Sequence, residues 1–226
     1  MMLIATTVAV ALLASTAIAA GAPALSASTI PETSVNVTAS ADVSPALVAR
    51  VLAEAAAIWR PSGVTFVWRR AAPRVVPCAE VSDTGPYVPN ALRLTIGGNR
   101  GSGRPGGMPL GWIVFDDLGR PEQEIYLSHA NARAMLEDAP GVVGMTSQMP
   151  IAQQHTMLGR AMGRALAHEL GHYLLASKVH TRQGLMKAVL TAVELFMPDV
   201  SGLRVEPAQR VAIAARLRGE PLVASR

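Results

Sequence analysis

Five consecutive residues carry the strongest chemical signal in the sequence: His168-Glu169-Leu170-Gly171-His172. Two histidines at i and i+4 share one face of a helix, about one turn apart. Their imidazoles can converge on a single divalent ion, and imidazole suits a borderline-soft one such as Zn²⁺. Glu169 follows the first histidine directly. There its carboxylate can lie beside a metal-activated water and accept the proton, without itself binding the metal. A catalytic zinc needs three protein ligands and an open position. His180 stands eight residues beyond His172. For it to return to the metal, the helix must end near Ala176 and the chain must reverse through Ser177-Lys178. Gly184-Leu185-Met186 comes next, with a glycine suited to a tight turn and a methionine able to floor the site.

Other residues compete for these roles. Glu194, on a helix expected over Ala188 to Phe196, is a rival third ligand, and Asp199 is a weaker one. Glu194 ranks below His180 because it lacks the Asn-Glu start of the second motif in the zinc-peptidase clan that uses a glutamate. His155 falls well round the helix from His168 and reads as solvated. Asp116-Asp117 read as turn formers rather than a calcium site. Trp59, Trp68 and Trp112 read as core, as do Met157, Leu158, Met162, Leu166 and Leu170. Arg160 and Arg164, at i and i+4, read as a solvated face.

The elements that must position these residues follow from local pattern. Ser34 to Thr38 alternates polar and apolar, which predicts a strand. Ser44 as N-cap and Pro45 at the first helical position start a helix that runs to Trp59 and stops at Pro61 and Gly63. Val64 to Trp68 and Ala91 to Ile96 read as strands, separated by a loop rich in proline and turn residues. Gly97 to Gly111 holds seven glycines and two prolines, so it reads as a long loop. It has no Gly-Lys-Ser/Thr ending, which argues against nucleotide binding. Gly111 to Asp116 and Glu124 to Ser128 read as two further strands joined by a turn. Helices are expected over Asn131 to Leu136, Ile151 to Ala176 and Pro207 to Leu217. A strand-helix-strand start, then strands, then helices points to an α+β domain with an α/β-like N-terminal part.

Composition bounds the rest. The 226 residues are 50% hydrophobic and 16% charged, which suits one packed domain, expected over residues 33–226, and excludes a disordered polymer. The net charge of +4 is scattered, with no basic run longer than Arg69-Arg70, so nucleic acid is not an expected partner. The lone cysteine, Cys78, excludes an internal disulfide framework and a cysteine-rich zinc module. Residues 1–24 carry no charged side chain and end in a run of small residues, which reads as a signal peptide cleaved near 19–24, followed by a short linker at 25–32. The protein is then expected to be secreted or periplasmic, with a membrane as partner only if this segment stays uncleaved.

At His168 to Met186 the sequence resembles the metzincin clan of zinc metallopeptidases, whose pattern is HExxHxxGxxH followed by a methionine-containing turn. It is most similar to small secreted bacterial members with a longer gap before the third histidine. The resemblance implies a zincin fold: a mixed twisted sheet, a long active-site helix and a C-terminal helix. It implies one Zn²⁺ per chain held by His168, His172 and His180, with Glu169 as the catalytic base and Met186 as the turn methionine. It also implies a zinc metalloendopeptidase acting on protein or peptide substrates. An edge strand beside the zinc would receive extended substrate, and His129 or Tyr126 could then line the cleft, although both read better as ordinary surface residues. Two departures stand out. Seven residues separate His172 from His180 where the clan has five, and the clan's glycine falls on Leu175 or Ala176. The longer gap is expected to relieve the need for that glycine. No tyrosine follows Met186, so a tyrosine that some members place there is absent. The alternative reading is a non-catalytic zinc-binding envelope protein with a degenerate zincin fold.

Overall fold

The computed structural model describes residues 30–70, 91–98 and 109–219. The expected signal peptide, most of the linker, Cys78 and most of the glycine-rich loop lie outside the described residues. Strand β1 (Thr33–Ala39) buries Val35 and Val37 and turns Ser34 and Asn36 to its other face, as the period of two requires. Helix α1 (Pro45–Trp59) starts where Ser44 Oγ accepts the Leu47 N–H at 3.2 Å and Pro45 opens the helix. It leads to β2 (Phe66–Arg70), which begins two residues later than its apolar run predicts. Then follow β3 (Leu92–Gly97), β4 (Gly111–Phe115) and β5 (Pro121–Ser128). The helices α2 (His129–Glu137), α3 (Pro140–Val143), α4 (Ile151–Leu175), α5 (Ala192–Phe196) and α6 (Pro207–Leu217) complete the fold.

The strands form one sheet in the order β2-β1-β3-β5-β4. The β2–β1, β1–β3 and β3–β5 pairings are parallel, and β4 closes one edge antiparallel to β5. The fold is therefore α+β with a mixed, mostly parallel sheet. Leu92, Leu94, Ile96, Ile125 and Leu127 join Val35 and Val37 in a core shared with α1 and α4. Small residues let these two helices approach closely. Gly159, Gly163, Ala167 and Gly171 recur at every fourth position of α4, along the row that faces α1. A Cβ on Gly163 would stand 2.8 Å from the Val51 carbonyl oxygen. At the end of the row the Trp59 indole N–H donates to the Ala167 carbonyl at 3.1 Å. That bond fixes the end of α1 beside the histidines of α4.

Several local expectations need correction. Arg164 is not solvated: it is fully buried, donates to Glu54 at 2.9 Å and donates to the Glu194 carbonyl at 2.6 Å. Arg160 is half-buried and donates to the Phe196 carbonyl at 3.0 Å. The cause is α5, which packs on the face that charge spacing alone assigns to water. His155 is half-buried for its part; Trp59 is fully buried, Trp68 and Met157 are half-buried against the core, and Trp112 is half-buried outside it. Helix α5 is shorter than expected. The Thr191 hydroxyl accepts the Glu194 N–H while the Glu194 carboxylate accepts the Thr191 N–H, and this reciprocal cap sets its start. Asp116 does form its turn, accepting the Leu118 and Arg120 N–H groups at 3.0 and 2.8 Å. Among the described residues no helix is long and apolar enough to cross a membrane.

Candidate metal centre

Helix α4 carries His168 and His172 toward its C-terminal end, where the chain must turn sharply for His180 to return. Ala176 makes that turn in the left-handed conformation, with φ of 47°. The Ser177 N–H then donates back to the His172 carbonyl at 3.3 Å. The longer gap therefore does not remove the need for a left-handed residue; alanine occupies the position at some cost. The chain next forms a compact turn over residues 181–187. Thr181 donates its N–H to the Met186 carbonyl at 2.9 Å, and Leu185 donates to the Arg204 carbonyl at 3.0 Å. Gly184 sits at φ of 79°, as its place in the turn demands.

This turn and the loop before it serve the histidines in two ways. The Leu185 carbonyl meets His168 Nδ1 at 2.9 Å, and the Ser177 carbonyl meets His172 Nδ1 at 2.7 Å. A carbonyl oxygen only accepts, so each Nδ1 carries the hydrogen and each Nε2 presents a lone pair. The second service comes from Met186, which is buried with its sulfur against Gly171, where any Cβ would overlap it. Met186 therefore packs against α4 at the residue next to His172.

The two Nε2 atoms lie 3.1 Å apart. With both Nδ1 atoms protonated, neither Nε2 can donate to the other, so two lone pairs face each other. A cation between them resolves that repulsion. Tetrahedral zinc with Zn–N of about 2.0–2.1 Å sets neighbouring nitrogens about 3.3 Å apart, which matches the spacing found. His180 closes the third side. Its ring centroid lies 5.3 Å from that of His168 and 4.9 Å from that of His172. One nitrogen from each of the three rings falls within 4.8 Å of the others, so the set can hold a metal ion. Burial pushes the His168 pKa down to about 4, against the opposing pull of the Leu185 carbonyl, and burial also lowers His172. At neutral pH both rings are therefore neutral, the form that binds metal.

Glu169 is buried on the adjoining face of α4. A Cβ on Gly111 would stand 3.1 Å from Glu169 Cγ, so this carboxylate arm lies under the start of the edge strand β4. The rival ligands are engaged elsewhere. Glu194 caps its own helix and pairs with Lys187, and that ammonium with the Thr191 groups holds its pKa down to about 2. Asp199 accepts from the N–H and hydroxyl of Ser201 at 2.8 and 2.9 Å. Neither belongs to the histidine cluster. His129 opens α2 with its Nδ1 3.5 Å from the Asp42 carboxylate, and Tyr126 stacks on Trp112 at 5.5 Å between ring centroids.

Residue spacing alone misses several partners of the site. Phe115, at the end of β4, sets its ring edge-on to His172 at 6.3 Å, and the Lys178 ammonium lies 5.1 Å above that ring. Gly171 had a readable signal: a glycine inside an alanine-rich helix costs about 1 kcal/mol relative to alanine, which is tolerated where something packs closely. The Leu185 and Ser177 carbonyls had none, because any residue type carries a carbonyl. No protein-family model matches the chain, and no curated protein is recognisably similar to it. The chain's own candidate site is the set of three converging histidines within an α+β fold.

Proposed function

We propose that this protein is a secreted, zinc-dependent metallopeptidase of metzincin-like architecture. The observation that carries the reading is the histidine cluster, with two Nε2 lone pairs facing each other at 3.1 Å and Glu169 next in sequence to the first ligand. His168, His172 and His180 would hold the metal. Zinc, when bound in such a site, lowers the pKa of a water toward neutrality and polarises a substrate carbonyl. The Glu169 carboxylate accepts the proton of the attacking water and delivers it to the leaving amine nitrogen. The Leu185 carbonyl keeps the first ligand oriented, and Met186 packs against α4 at Gly171, next to the second. Strand β4 forms the sheet edge above Glu169, and an extended peptide can add to such an edge through main-chain hydrogen bonds. The charge-free apolar start of the sequence supports export.

The test is Glu169→Gln. The variant keeps about one zinc per chain while hydrolysis of a proteome-derived peptide library falls to background. A wild-type protein that binds zinc yet cleaves nothing in that library refutes the peptidase reading and leaves a zinc-binding envelope protein. A Glu169→Gln variant as active as wild type refutes the assigned base.

A further inference from the structure

We infer that Lys178 recognises a carboxylate on the bound peptide, which would make this a peptidase selective for acidic substrates; the inference rests on the peptidase reading above. The chain has only two lysines. Lys187 is paired with Glu194. Lys178 has no carboxylate partner among the described residues, and its ammonium rests 5.1 Å from the centroid of the Phe115 ring. Phe115 in turn stands edge-on to the His172 ring, so this cation lies at the rim of the metal centre, against the strand that would receive substrate.

Three features make the placement specific. Lys178 belongs to the short loop between the second and third histidines, and the loop is anchored where the Ser177 carbonyl accepts from His172 Nδ1. The Ser177 hydroxyl accepts the Val179 N–H at 3.1 Å, which holds the backbone on the other side of Lys178. Finally, β4 breaks register between Ile113 and Phe115, and such a bulge in an edge strand re-aims side chains. The nearest acid in sequence to Phe115 is Asp116, and Arg120 already neutralises it at 2.8 Å. An exposed ammonium over an aromatic ring gains little from that contact. A carboxylate can displace the contact or join it, so the lysine is held in place without being committed to a partner.

The test measures binding and cleavage separately. Calorimetry on zinc-loaded Glu169→Gln protein compares an acetylated, amidated acidic decapeptide with its Gln-for-Glu counterpart at low and high salt. The expected preference for the acidic peptide is about fivefold at low salt, the upper range for an exposed ion pair, and it shrinks as salt rises. Lys178→Ala removes the preference, Lys178→Arg keeps it and Lys178→Glu reverses it. An unchanged preference in Lys178→Ala, or none in the parent, overturns the inference. Library digestion with Glu169 intact gives the second readout. Cleavage sites lacking Lys178-dependent acidic residues overturn the inference and leave the peptidase reading standing. Lys178-dependent binding without any cleavage overturns the peptidase reading, and with it the substrate selectivity, and leaves only a carboxylate contact at Lys178; neither binding nor cleavage overturns both.

Discussion

At the scale of single residues, metal affinity depends on which side chain completes the set begun by His168 and His172. Their Nδ1 atoms are latched to two carbonyls, so their Nε2 lone pairs are already oriented before any ion arrives. His180 is exposed and approaches more loosely. Loss of an outer partner of a ligand typically lowers metal affinity by about 10–100-fold, so removal of a direct ligand should exceed that range. His180→Ala is accordingly expected to weaken zinc by more than about 100-fold in competition with a chelating dye. Glu194→Ala should retain the metal but lose about 1 kcal/mol of stability in urea, because it removes one arm of the α5 cap. Zinc loss in Glu194→Ala alone would reverse the two assignments. The sequence made part of this site readable. The i, i+4 spacing of His168 and His172 dictates their convergence on any helix. The return of His180 was readable only as a requirement, since it depends on a left-handed turn that alanine does not announce. The Leu185 carbonyl and the Phe115 ring come from distant segments, and local spacing carries no information about either.

At the scale of elements, α4 is the part on which the site depends most, and its middle and its C-terminal end respond to substitution in opposite directions. In its middle, Gly163 faces α1, where an added Cβ would meet the Glu54 side chain and stand 2.8 Å from the Val51 carbonyl oxygen. The obstacle includes backbone, which cannot swing aside, so Gly163→Ala forces the helices apart. A cost of about 2–3 kcal/mol is expected in urea unfolding, despite alanine's better helix propensity. At the C-terminal end, Ala176 adopts φ of 47°, a region that costs an L-residue about 1–2 kcal/mol and glycine nothing. Ala176→Gly is expected to stabilise the protein by about 0.5–1 kcal/mol after the greater chain entropy of unfolded glycine is counted. A destabilised Ala176→Gly would show that the strain is absent. The strands and the two long helices were legible because period and caps are local properties: Ser44-Pro45 starts α1, and Ile151 to Leu175 runs unbroken. The burial of Arg164 was not legible. Charge spacing on a helix shows which residues share a face, but only the packing of α1 and α5 shows that the face is covered.

At the scale of the whole molecule, the candidate metal centre draws on the end of α4, the loop after it and the 181–187 turn. Metal bound to the folded form alone adds stability by mass action, about 4 kcal/mol at a free concentration a thousand times the dissociation constant. Chelation should therefore lower the melting temperature at pH 7.5, and re-addition of zinc should restore it. The metal-free protein has its own pH dependence, whose sign follows from the histidines. Burial holds His168 at about 4 in the folded state against an ordinary value of 6.5, and His172 is lowered for the same reason. Between these values the unfolded chain binds a proton that the folded chain refuses, so unfolding takes up protons as the pH falls. The stability of the neutral, buried rings is fully present above about pH 6.5 and drains away toward pH 4. For His168 alone the loss is on the order of 3 kcal/mol by about pH 4, with His172 adding in the same direction. Urea midpoints of the chelated protein measured from pH 7.5 down to 4.5 should fall steadily. A flat profile over that window would mean that the rings titrate normally and are not held in the buried, metal-ready arrangement.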